Sequence, residues 1–130
     1  MNVLLDTNAL LWAAYAPDQL TVAAKELFLS ADRMVVSIVS LWEIGLKMSR
    51  GGYADFEAPR DWEKSLWPWM KEQDFQIIGI DLAGCRLIQD LPFHHKDPFD
   101  RMIIAQALAV GLVVISSDKR FDDYGVTRVW

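Results

Sequence analysis

Cysteine is almost missing from this chain of 130 residues: Cys85 stands alone. No internal disulfide and no cysteine cage for a metal can form, which suits a reducing compartment. Cys85 falls in an apolar, helix-like stretch and is expected in the core. Long apolar runs are missing as well. The longest, Ala107 to Ile115, is far shorter than the roughly 20 residues a membrane helix needs, and Asp6 interrupts the apolar N-terminus with no basic segment before it. The expectation is a soluble, unexported, cytoplasmic chain with no membrane partner. Positive charge is in deficit, with 13 Lys and Arg against 18 Asp and Glu and a formal net charge of −5. That balance argues against a conventional nucleic-acid binder, whose phosphate contacts come from a surplus of Lys and Arg. Location can reverse the inference, because carboxylates that bind divalent cations cease to count as negative charge and the cations are strong local positive charges. GxGxxG and P-loop motifs are absent, and the serines lack a Ser/His/Asp arrangement. His94 and His95 are adjacent, so both rings cannot lie on one side of a helix or strand, and they are expected in a loop.

What is present is apolar residue in periodic order. At 52% hydrophobic, the chain fits one compact domain over residues 1–130 that buries roughly two-thirds of its unfolded surface. Short apolar runs at Asn2 to Leu5, Met34 to Val36, Gln76 to Ile80 and Leu112 to Ile115 read as buried parallel strands. Between them lie helical periods at Asn8 to Tyr15, Val22 to Ala31, Ser40 to Arg50, Arg60 to Gln73, Leu82 to Leu91 and Pro98 to Val110. Strands alternating with helices predict an α/β fold with helices on both faces of a parallel sheet. Pro68 is expected to break or kink the fourth helix, because it removes a hydrogen bond. Gly51 to Pro59 is the best loop candidate.

Four carboxylates draw attention by position. Asp6 closes the first strand in VLLDTN, where an open parallel sheet places its ligand crevice, but it is equally suited to cap the helix that follows, with Thr7 and Asn8 as supporting turn residues. Glu43 lies in the apolar helix SLWEIGLKM with Lys47 four residues on, which reads as an exposed ion pair or as part of a site. Asp97 before Pro98 has the form of an N-cap followed by proline at the first helical position, so Asp97 is mainly structural. Asp100 then sits in the first turn, where a negative charge gains from the helix dipole. Asp118 follows the strand VVIS and is either a turn residue or a site residue. Three of the four stand at or near strand exits, and Glu43 is in a helix that follows another strand, so convergence is expected. Lys47, Arg50, Arg101 and Lys119 are the basic residues beside these acids and the candidate substrate contacts.

Taken together, VLLDTNALLW, VSLWEIGLK, HHKDPFDRMIIAQA and LVVISSDKRF, in that order and spacing, resemble the PIN-domain ribonucleases, specifically the VapC-type toxins of bacterial toxin–antitoxin pairs. The likeness runs from Met1 to Trp130. It implies a three-layer α/β/α fold around a five-stranded parallel sheet, a homodimer, an RNA substrate and a cognate antitoxin partner. By that resemblance Asp6, Glu43, Asp100 and Asp118 match the acidic positions that hold Mg²⁺ or Mn²⁺. Ser116 matches a hydroxyl position near the metal, where threonine is commoner. Trp62, Trp67 and Trp69 crowd a variable segment, and no role for them follows.

Hard cations prefer oxygen ligands, so four acids suit one or two ions, held partly through water. A metal-bound water of lowered pKa would attack phosphorus in line, leaving a 5′-phosphate and a 3′-hydroxyl. Asp6 and Asp100 are the expected direct ligands, and Glu43 and Asp118 complete the cluster. Two rivals share the α/β pattern. A phosphotransfer receiver needs an acidic pair near its first strand, whereas Asp6 stands alone. An aspartyl-nucleophile phosphatase needs an acid two residues beyond its nucleophile, where this chain has Asn8.

Overall fold

The computed structural model describes every residue from Met1 to Trp130. Five strands form one parallel sheet: β1 (Asn2–Leu5), β2 (Arg33–Ser37), β3 (Gln76–Ile78), β4 (Val113–Ile115) and β5 (Arg128–Val129), in the spatial order β3-β2-β1-β4-β5. Six α-helices connect them: α1 (Thr7–Tyr15), α2 (Val22–Ser30), α3 (Ile38–Ser49), α4 (Trp62–Glu72), α5 (Leu82–Asp90) and α6 (Pro98–Val110). Short 3-10 turns occupy Pro17–Gln19 and Lys119–Tyr124.

Alternation along the strands explains the three layers. Successive side chains leave a strand on opposite faces. Val3, Leu5, Met34, Val36 and Ile115 therefore share one cluster with Leu10 and Leu11 of α1, Ala24 of α2 and Met70 of α4. Leu4, Val35 and Val114 face the other way and pack with Val39 of α3, Ile103, Ile104 and Ala107 of α6, and Phe121. Both faces are dry, which is why these strands read as continuous apolar runs rather than alternating ones. No helix is long and apolar enough to cross a membrane.

The helix starts follow their capping residues. Asp6, Thr21, Ser37, Asp81 and Asp97 each accept a backbone N–H in the first turn of α1, α2, α3, α5 and α6. Helix α6 ends at Gly111, whose φ of 69° is the left-handed conformation that glycine adopts without steric cost.

Three expectations need correction. Pro68 does not break α4, which runs through it; Lys64 and Pro68 both lie on the exposed side, so the carbonyl left without its N–H partner faces water. Cys85 is exposed rather than core, because α5 buries only Gly84. The four strands read from periodicity omit β5, which has two residues and no period to read.

Candidate active site

The strand order explains where the site forms. From β1 the chain builds outward to β2 and β3 on one side, then returns to place β4 and β5 on the other. Between β1 and β4 the order reverses, and it is outside the carboxyl ends of strands at such a point that open α/β sheets place their ligand sites. Asp6 leaves β1 at this point and Ser116 leaves β4. Asp6 is 5% exposed. Its Oδ1 accepts the Ala9 N–H at 2.8 Å, and its Oδ2 accepts the Ser116 hydroxyl. Asp6 therefore caps α1 with one oxygen, as the N-cap reading expects, and uses the other to tie the exit of β1 to the exit of β4.

Glu43 is buried on α3, not on a solvated stripe. The Thr7 hydroxyl donates to its Oε1 at 2.7 Å and has Ser40 Oγ 3.0 Å away. Lys47 Nζ lies 3.2 Å from Oε2, half-exposed at the rim, and also stands 5.0 Å from the centre of the Tyr53 ring. Asp97 caps α6 through the N–H groups of Phe99, at 2.8 Å, and Asp100, at 3.3 Å. That leaves Asp100 in the first turn with its carboxylate directed to the cluster, within electrostatic reach of Asp6, Glu43 and Asp118. Asp118 caps the turn Lys119–Tyr124, and Ser116 Oγ accepts its N–H at 3.0 Å. The Arg120 guanidinium grips Asp118 with Nε and Nη2, at 3.0 and 2.9 Å.

The protonation energetics of the acids differ. Burial, which outweighs the bonds from Ser116 and Ala9, pushes Asp6 up to about 6. Burial and then the charges of Asp6, Asp97, Glu43 and Asp118 push Asp100 up to about 8. Asp118 goes the other way. Burial opposes its ionised form, but the bonds and charge of Arg120 and the bond from His95 hold it below the ordinary carboxylate value. Lys47 serves Glu43 and Arg120 serves Asp118, while no Lys or Arg pairs with Asp6 or Asp100. Ligand atoms of His95, Asp100 and Asp118 all lie within 4.8 Å of one another, and the crowding of Asp6 and Asp100 with no Lys or Arg partner is of the kind a hard divalent cation relieves.

Other sequence-based assignments land unevenly. Asn8 is exposed on α1, Arg50 is exposed at the C-terminal end of α3, and Lys119 is exposed next to Asp118. Arg101 is corrected: it is 5% exposed, and its guanidinium donates to the carbonyls of Ile88, Leu91, Pro92 and His95. Both Nη groups are engaged inside the protein, so the buried guanidinium is tied to this loop rather than presented to a phosphate. His95 is the residue that sequence reasoning missed. It lies in a loop as expected, but it is 2% exposed and places Nε2 2.9 Å from both Asp100 Oδ2 and Asp118 Oδ2. The one sequence signal was its position two residues before a helix cap. Arg120 was missed too, two residues beyond Asp118.

Comparison with known proteins identifies the family. Residues 3–126 match the model of the PIN domain family. A relative named Ribonuclease VapC22, from Mycobacterium tuberculosis (strain ATCC 25618 / H37Rv), is 24% identical, with 99% of this chain and 98% of the relative aligned. Among solved structures, the DNA-bound VapBC of Salmonella typhimurium superposes with a TM-score of 0.72 at 17% identity, covering 99% of this chain and 97% of that one. VapBC2 of Rickettsia felis, bound to a promoter DNA fragment, gives 0.70 at 14%, covering 99% and 98%. These structures share the fold, and the family match spans nearly the whole chain: this protein belongs to the PIN domain family.

Proposed function

We propose that this protein is a metal-dependent endoribonuclease that hydrolyses RNA phosphodiester bonds as the toxin of a type II toxin–antitoxin pair. The observation that carries the chemistry is the convergence of Asp6, Glu43, Asp100 and Asp118 at the strand-order switch, with Asp6 and Asp100 lacking any Lys or Arg partner. The role in a pair is supported by the relative's name and by the VapBC structures that share the fold.

Asp6 and Asp100 are the residues that would hold Mg²⁺ or Mn²⁺ directly. When bound, such an ion offsets phosphate charge and acidifies water near the scissile bond. Ser116 and the Ala9 N–H fix the Asp6 carboxylate, while Thr7 and Lys47 fix Glu43. Lys47, Arg50 and Lys119 supply positive charge for the RNA backbone at the rim. The antitoxin would bring a basic side chain to the same carboxylates, and the active form would be a homodimer in the cytoplasm.

The test is RNA cleavage by the purified chain with Mg²⁺, with Mn²⁺ and with chelator. Cleavage should vanish with chelator and return with either ion, and the products should carry 5′-phosphate and 3′-hydroxyl ends. Products ending in 2′,3′-cyclic phosphate would refute hydrolysis, because they require attack by the neighbouring ribose hydroxyl.

A further inference from the structure

The loop between α5 and α6 is exposed at Phe93, His94 and Lys96, yet His95 points inward. Its backbone is anchored from two sides. The Tyr124 hydroxyl accepts the His95 N–H at 2.8 Å and donates to the Pro92 carbonyl at 2.8 Å. Arg101 donates to the carbonyls of Leu91 and Pro92, at 3.1 and 2.8 Å. So much fixation of an otherwise exposed loop serves the placement of one imidazole.

The ring's hydrogen position follows from its partners. The Asp97 N–H donates to His95 Nδ1 at 3.1 Å, so Nδ1 offers a lone pair and the ring hydrogen resides on Nε2. Nε2 donates to Asp118 Oδ2 at 2.9 Å, with Asp100 Oδ2 at the same distance against this positive edge of the ring. A protonated Nε2 has no lone pair for a cation. Asp118 Oδ1 is taken by Arg120 as well, which leaves Asp100 Oδ1 as the oxygen of this pair that no Lys, Arg or His engages.

We propose that His95 is a positioning residue and not a metal ligand: Nε2–H holds one oxygen each of Asp100 and Asp118 together and leaves Asp100 Oδ1 free for the ion. The inference rests on the metal-dependent reading above and adds to it a residue outside the four acids. Its effect is that of an outer partner that fixes the orientation of a ligating carboxylate.

Two substitutions separate the two ends of the ring. In His95→Asn the amide oxygen reaches the place of Nδ1 and keeps the Asp97 N–H, but the side chain is too short for the carboxylates. In His95→Gln the amide nitrogen reaches toward Nε2 and keeps the donor, while the Asp97 contact is lost. Mn²⁺ binding by the full chain, followed by electron paramagnetic resonance of the free ion, should weaken about 10- to 100-fold in His95→Asn. Cleavage at limiting Mn²⁺ should fall with it and recover at saturation, whereas His95→Gln should stay within a fewfold of wild type. The reverse order would make His95 a loop anchor and overturn the proposal. Two measurements on wild type stand whatever the variants do. Long-range ¹H–¹⁵N spectra of the metal-free chain should show His95 with its proton on Nε2, and echo-modulation spectra with ¹⁵N-histidine should show no nitrogen bonded to Mn²⁺. A bonded nitrogen, or a proton on Nδ1, refutes the assignment. Wild type that binds no Mn²⁺ defeats the metal reading and this inference together; wild type and His95→Asn that bind and cleave alike defeat this inference alone.

Discussion

Asp97 and Asp100 stand three residues apart at one helix start, yet their carboxylates have different tasks. Asp97 satisfies two backbone N–H groups of α6, and asparagine caps as well as aspartate, so Asp97→Asn should cost less than about 1 kcal/mol and leave cleavage near wild type. Asp100→Asn should lower cleavage by orders of magnitude. Its effect on stability is a contest between the helix dipole, worth roughly 0.3–1 kcal/mol for an acid in the first turn, and burial with like charges, which raises Asp100 to about 8. The second wins near neutral pH, so metal-free Asp100→Asn should unfold at equal or higher urea than wild type. An inactive Asp97→Asn beside an active Asp100→Asn would mean that ligand and cap are interchanged. Arg101 belongs to the same scale. Arg101→Met leaves buried carbonyls of the His95 loop without donors, at about 1–3 kcal/mol of lost stability. Its urea midpoint should drop, and RNA affinity measured on the folded fraction should not; the opposite pattern would restore Arg101 as a phosphate contact.

Among the elements, α4 is the one whose local preference and structure disagree. Proline in a helix interior is roughly 3 kcal/mol worse than alanine, and Pro68 has no N–H for the Lys64 carbonyl. The helix survives because tertiary burial of Leu66 and Met70, with Trp69 stacked near Phe28 and beside Phe75, holds it against the sheet. The exposed side of α4 then carries the defect where water compensates. Pro68→Ala restores the bond and the propensity and changes no buried contact, so it should stabilise the chain by about 1–3 kcal/mol. Thermal melting decides this: an unchanged or lower midpoint would show that proline's rigidity in the unfolded chain outweighs its helical cost.

For the whole molecule, the acid cluster makes stability depend on pH and on metal with a definite sign. In the metal-free chain Asp6 at about 6 and Asp100 at about 8 retain protons that the unfolded chain releases near the ordinary value of 3.8. The native state therefore binds more protons between 3.8 and about 8, and stability must fall as pH rises through that window. Asp118, held low, contributes the opposite slope below its ordinary value, where stability falls as pH drops. In chelator, the melting midpoint should decline from pH 5 to pH 8.5. Excess Mn²⁺ should remove most of that decline, because the cation takes over the role of the protons and favours the native state by mass action. A midpoint that rises over the same range in chelator would show that Asp6 and Asp100 ionise freely.

Much of the architecture was legible because it is encoded over short spans. The run Asn2 to Leu5, the N-cap Asp97 with Pro98 and the apolar periods of α1 to α6 are each set within about ten residues by backbone geometry. Those local patterns also put Asp6 and Asp118 at strand exits, so the acids were readable as candidates. Which atoms meet was a tertiary decision. Thr7 reaches Glu43 across 36 residues, His95 reaches Asp118 across 23, and Ser116 reaches Asp6 across 110. No periodicity registers contacts at those separations. The inward turn of His95, the burial of Arg101 beneath the same loop, the exposure of Cys85 and the tolerance of Pro68 on a wet helix face all depend on what packs opposite. By itself the sequence determined the alternation of strands and helices and the acids at the strand ends. Only the parallel register of β1 beside β4, fixed by burying both faces of the sheet, brought those acids together; the cationic partners of Glu43 and Asp118 stand close by in sequence, and Asp6 and Asp100 meet across the fold without one.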